Sequence, residues 1–245
     1  MRVLLLGGTA EARVLAVALV EEGVDVVSSL AGRVRRPRLP VGAVRVGGFG
    51  GVAGLRRELV GYDVVVDATH PFATTISASA ATACAADGVP LLRLARPGWG
   101  ASPGAAGWRW VSSSEEAAVV AAGSGGPVFL TTGRRSLTRF VPALGDLRVL
   151  ARVVDPVGVE LPPTWTILLA RGPYSVDAER SLMRRHRIRV LVTKDSGGDL
   201  TRAKLDAADD LGIGVVVVRR PAGPAGVEEV SDVAGAVRWL RARTG

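Results

Sequence analysis

Lysine is nearly absent from this chain. Of its 31 basic residues only Lys194 and Lys204 are lysine, and both fall in LVTKDSGGDLTRAKLDAADDLG, from Leu191 to Gly212. Cysteine is scarcer still. Cys84 stands alone, which excludes an intrachain disulfide and a thiolate metal cage. His70 and His186 are the only histidines and lie far apart, and no carboxylate cluster replaces them, so no metal site is expected. Aromatic residues make up 4%, which leaves an aliphatic core. No apolar run reaches membrane-span length without a charge or a turn breaker. The opening MRVLLLGGTAEAR is too short in its apolar part for a signal-peptide core. These absences point to a soluble, cytoplasmic protein with no membrane partner.

What remains is an aliphatic, basic, glycine-rich chain. At 245 residues and 48% hydrophobic it is long enough for one large domain or two small ones. The formal charge is +8, yet there is no lysine-rich tail and no basic-aromatic interleaving, so no nucleic-acid partner is expected. Strand and helix patterns alternate almost throughout. RVLLL, VDVVSSL, GAVRVGGFG, YDVVVDAT and VPLLRLA read as strands. AEARVLAVALVEEG, VAGLRRELVG and TTISASAATACAADG read as the helices between them, the last stopped by Gly88. After PGWGASPGAAG the alternation resumes, with helices capped at Ser113 and Ser175. The expected class is α/β, with two Rossmann-like parallel-sheet halves and an interdomain cleft. The expected boundaries are residues 1–98 for a nucleotide-binding half, 99–107 for a linker and 108–245 for a second half.

The turn after the first strand carries the clearest chemical signal. Gly7, Gly8 and Thr9 separate a buried strand from a helix whose N-terminal N–H groups suit a pyrophosphate. The spacing Gly7-x-Thr9-x-x-Ala12 departs from G-x-G-x-x-G at the second glycine, so the turn is equally readable as an ordinary strand–helix connection. The second strand ends SSLAGR with no acid to bind ribose hydroxyls. Ser28, Ser29 and Arg33 suit a ribose phosphate instead, which favours NADP over NAD. Gly47 and Gly48 leave room for a ligand beyond the third strand. Thr69 and His70, beyond the fourth, are placed to touch the nicotinamide side or the substrate.

The lysines are the second signal. Lys194 follows a strand, Ser196 to Gly198 form a turn, and Lys204 lies in the first turn of the next helix. A cation there opposes the helix dipole, so an anion nearby would explain it. With Arg134 in TTGRR and Arg171 in ARGPYS, a surface suited to a substrate with several carboxylates is expected.

The motifs LLLGGTAEAR, SLAGR, RVGGFGG, DATHPFA, LLRLARPGW, TTGR, ARGPYS and VTKDSGG…AKLDAA, in that order, resemble the precorrin-6A reductases of corrin ring biosynthesis. The resemblance spans nearly the whole chain. It implies an NADPH-dependent reductase that delivers a hydride to one carbon of a macrocycle double bond and a proton to its neighbour. It implies a polycarboxylate tetrapyrrole bound by Arg134, Arg171, Lys194, Ser196 and Lys204. Lys194 is then the candidate proton donor, and hand-over to other corrin-pathway enzymes is expected. Two alternatives stay open: another NADP-linked small-molecule reductase, or a non-catalytic dinucleotide-binding module. The Tyr-x-x-x-Lys pair common among the former is missing, since neither Tyr62 nor Tyr174 has a lysine four residues on.

Overall fold

The computed structural model describes residues 1–32 and 38–243. It divides into two compact units, one of residues 1–97 together with 221–245, the other of residues 98–220.

The first unit is built on β1 (Arg2–Leu6), β2 (Asp25–Leu30), β3 (Ala43–Val46), β4 (Val64–Asp67) and β5 (Leu91–Leu94). Its helices are α1 (Ala10–Glu21), α2 (Gly51–Leu59) and α3 (Thr74–Asp87). All neighbouring strands are parallel, in the order β5-β4-β1-β2-β3. The run RVLLL is apolar at successive positions because β1 is covered on both faces. Val3 and Leu5 face a core with Leu15, Leu19, Ala236 and Leu240, whereas Leu4 and Leu6 face Leu55, Leu59, Ala80 and Ala83. Helix α3 ends at Gly88, which takes a left-handed conformation as its C-cap.

The second unit holds β6 (Arg109–Val111), β7 (Val128–Leu130), β8 (Val149–Val153), β9 (Trp165–Leu169), β10 (Val190–Lys194) and β11 (Gly214–Val218). They form a parallel sheet in the order β6-β11-β10-β7-β8-β9. Its α-helices are α4 (Ser114–Ala122), α5 (Val141–Leu144), α6 (Val176–Arg185) and α7 (Ala203–Asp210). Ser113 and Ser175 cap α4 and α6 through bonds from the N–H groups of Glu116 and Ala178.

Two expected boundaries differ from the structure. Residues 99–107 are not a linker. They form 3₁₀ turns at Trp99–Ala101 and Ala105–Gly107, and Trp99, Ala105 and Trp108 are buried in the second core with Phe129, Leu191 and Leu205. The glycine and proline content suggested a tether, but the two indoles need burial. Nor does the tail stay with the second unit. After Pro221 the chain forms β12 (Glu228–Val230), parallel to β5 on the edge of the first sheet, and α8 (Val233–Arg241), which packs on α1. Among the described residues no helix is long and apolar enough to cross a membrane.

Candidate active site

In a parallel sheet all strands end on one edge, and ligands collect where the strand order reverses. In the first sheet that point lies between β1 and β4. It places Gly7–Thr9 beside Asp67–His70. The hydroxyl of Thr9 donates to the Ala68 carbonyl at 2.7 Å and accepts the Ala12 N–H at 3.1 Å. Thr9 is therefore the N-cap of α1 and its tie to the fourth strand, which is the role open to threonine where the glycine fingerprint is broken. Gly8 has φ +111°, and a Cβ there would meet no atom of the described residues within 4 Å. Glycine is needed there for its backbone conformation, and open space lies before it. Glu11, the acid in the first turn of α1, is paired with Arg96 at 2.5 Å.

Beside this turn a small recess is lined by Gly7, Gly8, Ala12, Arg13, Ser28 and Arg38, among others. The Ser28 hydroxyl is buried there without a hydrogen-bond partner among the described residues. A buried hydroxyl left unbonded is costly unless a ligand completes it. Arg33, the expected phosphate contact, lies outside the described residues. Ser29 accepts from Arg45 at 2.9 Å. Arg45 also donates to the Gly47 carbonyl, lies 3.9 Å over the Phe49 ring and faces Glu58 at 3.7 Å. It organises the loop of Gly47 and Gly48. No sequence motif marks Arg45; the pairing of β2 with β3 brings it opposite Ser29.

At the end of β4, buried Asp67 accepts from the Thr69 hydroxyl at 2.6 Å and the Thr69 N–H at 3.1 Å. Its other oxygen faces Arg93, which donates to Ser77 and meets Glu229 of β12 at 3.2 Å. Thr69 is thus held by its neighbours. His70 accepts the Phe72 N–H on Nδ1 at 3.2 Å, which puts the proton of the neutral imidazole on Nε2.

In the second sheet the order reverses between β7 and β10. This brings the Thr131–Arg134 turn and Lys194 to neighbouring strand ends. Lys194 is half-buried, and its pKa lies below the ordinary lysine value, first through burial and then through Arg139 and Arg135. The Ser196 N–H donates to the Lys194 carbonyl at 2.6 Å. Arg134 reaches the Pro156 carbonyl at 3.4 Å and Asp155 at 4.0 Å. Arg171 is exposed in the loop after β9. That loop is fixed by Tyr174, whose hydroxyl donates to the Ala170 carbonyl at 2.9 Å. The Arg152 guanidinium lies 3.8 Å over the Tyr174 ring and pairs with buried Glu179.

Lys204 departs from expectation. It is 6% exposed, its ammonium donates to the Thr201 carbonyl at 2.6 Å, and it lies 4.9 Å over the Trp99 ring. A carbonyl and an indole face receive this first-turn cation. Lys204 closes the loop before α7 and does not present its charge at the surface. Among the described residues no group of His, Cys, Asp or Glu could hold a metal ion.

The arrangement offers an anion cradle on one unit and a basic strand-end edge on the other. Comparison with known proteins gives it a context. A family model described as "Precorrin-6x reductase CbiJ/CobK" matches residues 2–241. A precorrin-6A reductase of Rhodococcus erythropolis is 52% identical over 242 residues, covering 98% of this chain and 97% of its own. One of Mycobacterium tuberculosis is 54% identical over the same shares. A solved structure of "CobK precorrin-6A reductase" is 41% identical and superposes with a TM-score of 0.90, covering 99% of this chain and 96% of its own.

Proposed function

The chain belongs to the precorrin-6x reductase family, and from that premise we propose that it reduces metal-free precorrin-6A to precorrin-6B with NADPH, in the cytoplasm. The nicotinamide supplies the hydride when bound. The observation that carries the choice of cofactor is the recess beside the first turn: a buried Ser28 hydroxyl with no partner among the described residues, a glycine at position 8, and Arg13 and Arg38 in the lining, with no acid among its described lining residues. That donor set fits a ribose phosphate, since Arg matches phosphate oxygens through its planar fork. An acid that would bind a free ribose diol and repel the phosphate is missing from it.

The first unit then binds and orients the cofactor. Gly7 and Gly8 let the backbone approach a pyrophosphate, and the capped N-terminus of α1 directs N–H groups toward it. Ser28 and Ser29 with Arg13 and Arg38 recognise the ribose phosphate. Gly47 and Gly48, stiffened by Arg45, flank the cofactor, while Thr69 and His70 stand on the nicotinamide side. In the second unit Arg134, Arg171 and Lys194 bind substrate carboxylates, with Ser196 as a hydrogen-bonding neighbour. Lys204 supports the loop that carries them. Lys194 delivers the proton to the carbon next to the one that receives the hydride. A desolvated ammonium beside two guanidinium groups is a stronger acid than a free lysine, as this step requires. The metal-free substrate is favoured because the relatives above half identity are named for it.

Anaerobic assays with precorrin-6A, NADPH and separately NADH test this reading. NADPH oxidation matched one-to-one by loss of precorrin-6A absorbance, with NADH much slower, is the expected result. Equal rates with both cofactors would remove the phosphate role of the Ser28 recess. Folded protein that binds NADPH and turns over neither precorrin-6A nor its cobalt form would leave a dinucleotide-binding module.

A further inference from the structure

The chain passes between its units at Pro97–Gly98 and at Arg220–Pro221. Within the second unit both connections are fastened to one carboxylate. The Trp99 N–H donates to Oδ1 of Asp195 at 2.9 Å, and Nε of Arg220 donates to Oδ2 at 3.0 Å. Asp195 directly follows Lys194 at the end of β10 and is buried. Its own N–H donates to the Val218 carbonyl at 2.9 Å, next to the second connection.

Gly98 lies flat against this pair. A Cβ there would stand 2.6 Å from Oδ2 of Asp195 and 3.1 Å from Nη2 of Arg220, so a larger residue would push the carboxylate off its partners. The loop beyond Asp195 is closed from the same side. The Trp99 indole N–H donates to the Gly198 carbonyl at 3.3 Å, and its ring carries the Lys204 ammonium. Asp195 therefore sits where three separated segments meet: residues 98–99, 195–198 and 218–220. A buried ion pair is weak evidence for stability in itself, because an apolar pair often serves as well. Fastening three segments at a polar centre gives a directional constraint that apolar packing lacks.

We propose that Asp195 is a positioning residue for the reduction, binding the strand end that carries Lys194 to both chain connections so that Lys194 keeps one placement. The proposal rests on the reading that Lys194 acts on the substrate. Misplacement of a reacting group by about 1 Å costs on the order of 100-fold in rate, so small slack in this loop registers strongly in turnover.

The test uses the full chain carrying Asp195→Asn, which keeps an acceptor for the Trp99 N–H and removes the charge that holds Arg220. The expected result is a kcat lower by about 10–100-fold with KM for NADPH unchanged. Backbone hydrogen exchange should quicken in residues 194–201 while β1 and α1 exchange as in wild type. Arg220→Lys should recover turnover that Arg220→Ala loses, which serves as the second arm where the Asn variant folds poorly. Wild-type kcat in Asp195→Asn, unchanged exchange in 194–201, or equal activity of the two Arg220 variants would each overturn the proposal. A wild-type enzyme inactive on both precorrin-6A and its cobalt form would refute the reductase reading and the catalytic purpose assigned here, while the exchange data would still decide whether Asp195 fastens the loop.

Discussion

Lys194 keeps its ammonium where an ammonium is costly. In an unfolded chain it titrates near the ordinary lysine value, whereas in the folded chain burial, followed by Arg139 and Arg135, lowers its pKa. Between those two values the folded chain binds fewer protons than the unfolded one, so raising the pH through that window adds stability. Below the window the charged group is a net cost to folding. Lys194→Met should accordingly melt higher than wild type at neutral pH, with the difference shrinking as the pH rises, and should lose turnover. Calorimetric melts across a pH series check this, and a lower melting temperature at neutral pH would contradict it. Scarcity of lysine singles out both Lys194 and Lys204, but not their different surroundings. The position of Lys194 at a strand end was readable from its pattern. The burial of Lys204 was not, because the ring that covers it belongs to Trp99, 105 residues away by the numbering, in a segment that reads as a tether.

At the scale of elements, local signals told most. Strand–turn–helix alternation placed Gly7, Gly8, Gly47, Gly48, Thr69 and His70 at carboxyl ends, and the Ser113 and Ser175 caps followed from the position of a serine just before each helical run. Glu116, three residues after Ser113, reaches back to the N–H and hydroxyl of Ser112 rather than to the cap itself. Long-range polar pairs left no such trace. Arg152 and Glu179, both buried, sit in a strand and a helix with ordinary patterns of their own. Glu179→Ala should destabilise the second unit by about 3–5 kcal/mol, since it leaves a buried guanidinium uncompensated. Urea unfolding followed by Trp fluorescence measures it, and a change near zero would show that the Tyr174 and Phe129 rings suffice to hold Arg152. Thr9→Ala removes a cap, with an expected cost of about 1 kcal/mol or somewhat more given its second bond to the Ala68 carbonyl. NADPH affinity should weaken with it, because the N-terminus of α1 is no longer fixed to β4. Unchanged cofactor titrations in that variant would detach the cap from the cofactor site.

The whole molecule showed least of itself in the sequence. Two parallel α/β units were expected, but not that residues 221–245 return to the first. β12 is only EEV, without apolar alternation, so it carries little strand signal. Its place depends on pairing with β5 and on Glu229 meeting Arg93, contacts formed across more than a hundred residues. Helix α8 contributes Ala236, Val237 and Leu240 to the first core. A chain ending at Arg220 should therefore lose the fold of the first unit and its NADPH binding, as circular dichroism and cofactor titration would reveal. Cofactor affinity equal to that of the full chain would show that the returning segment is dispensable. The central claim, that this chain moves a hydride from NADPH to precorrin-6A, is met most directly by an anaerobic turnover with cofactor deuterated at the nicotinamide C4 position that donates, followed by mass spectrometry of the tetrapyrrole. The product should have gained one deuterium from the cofactor and one hydrogen from solvent. A tetrapyrrole of unchanged mass, with the labelled cofactor still reduced, would contradict it.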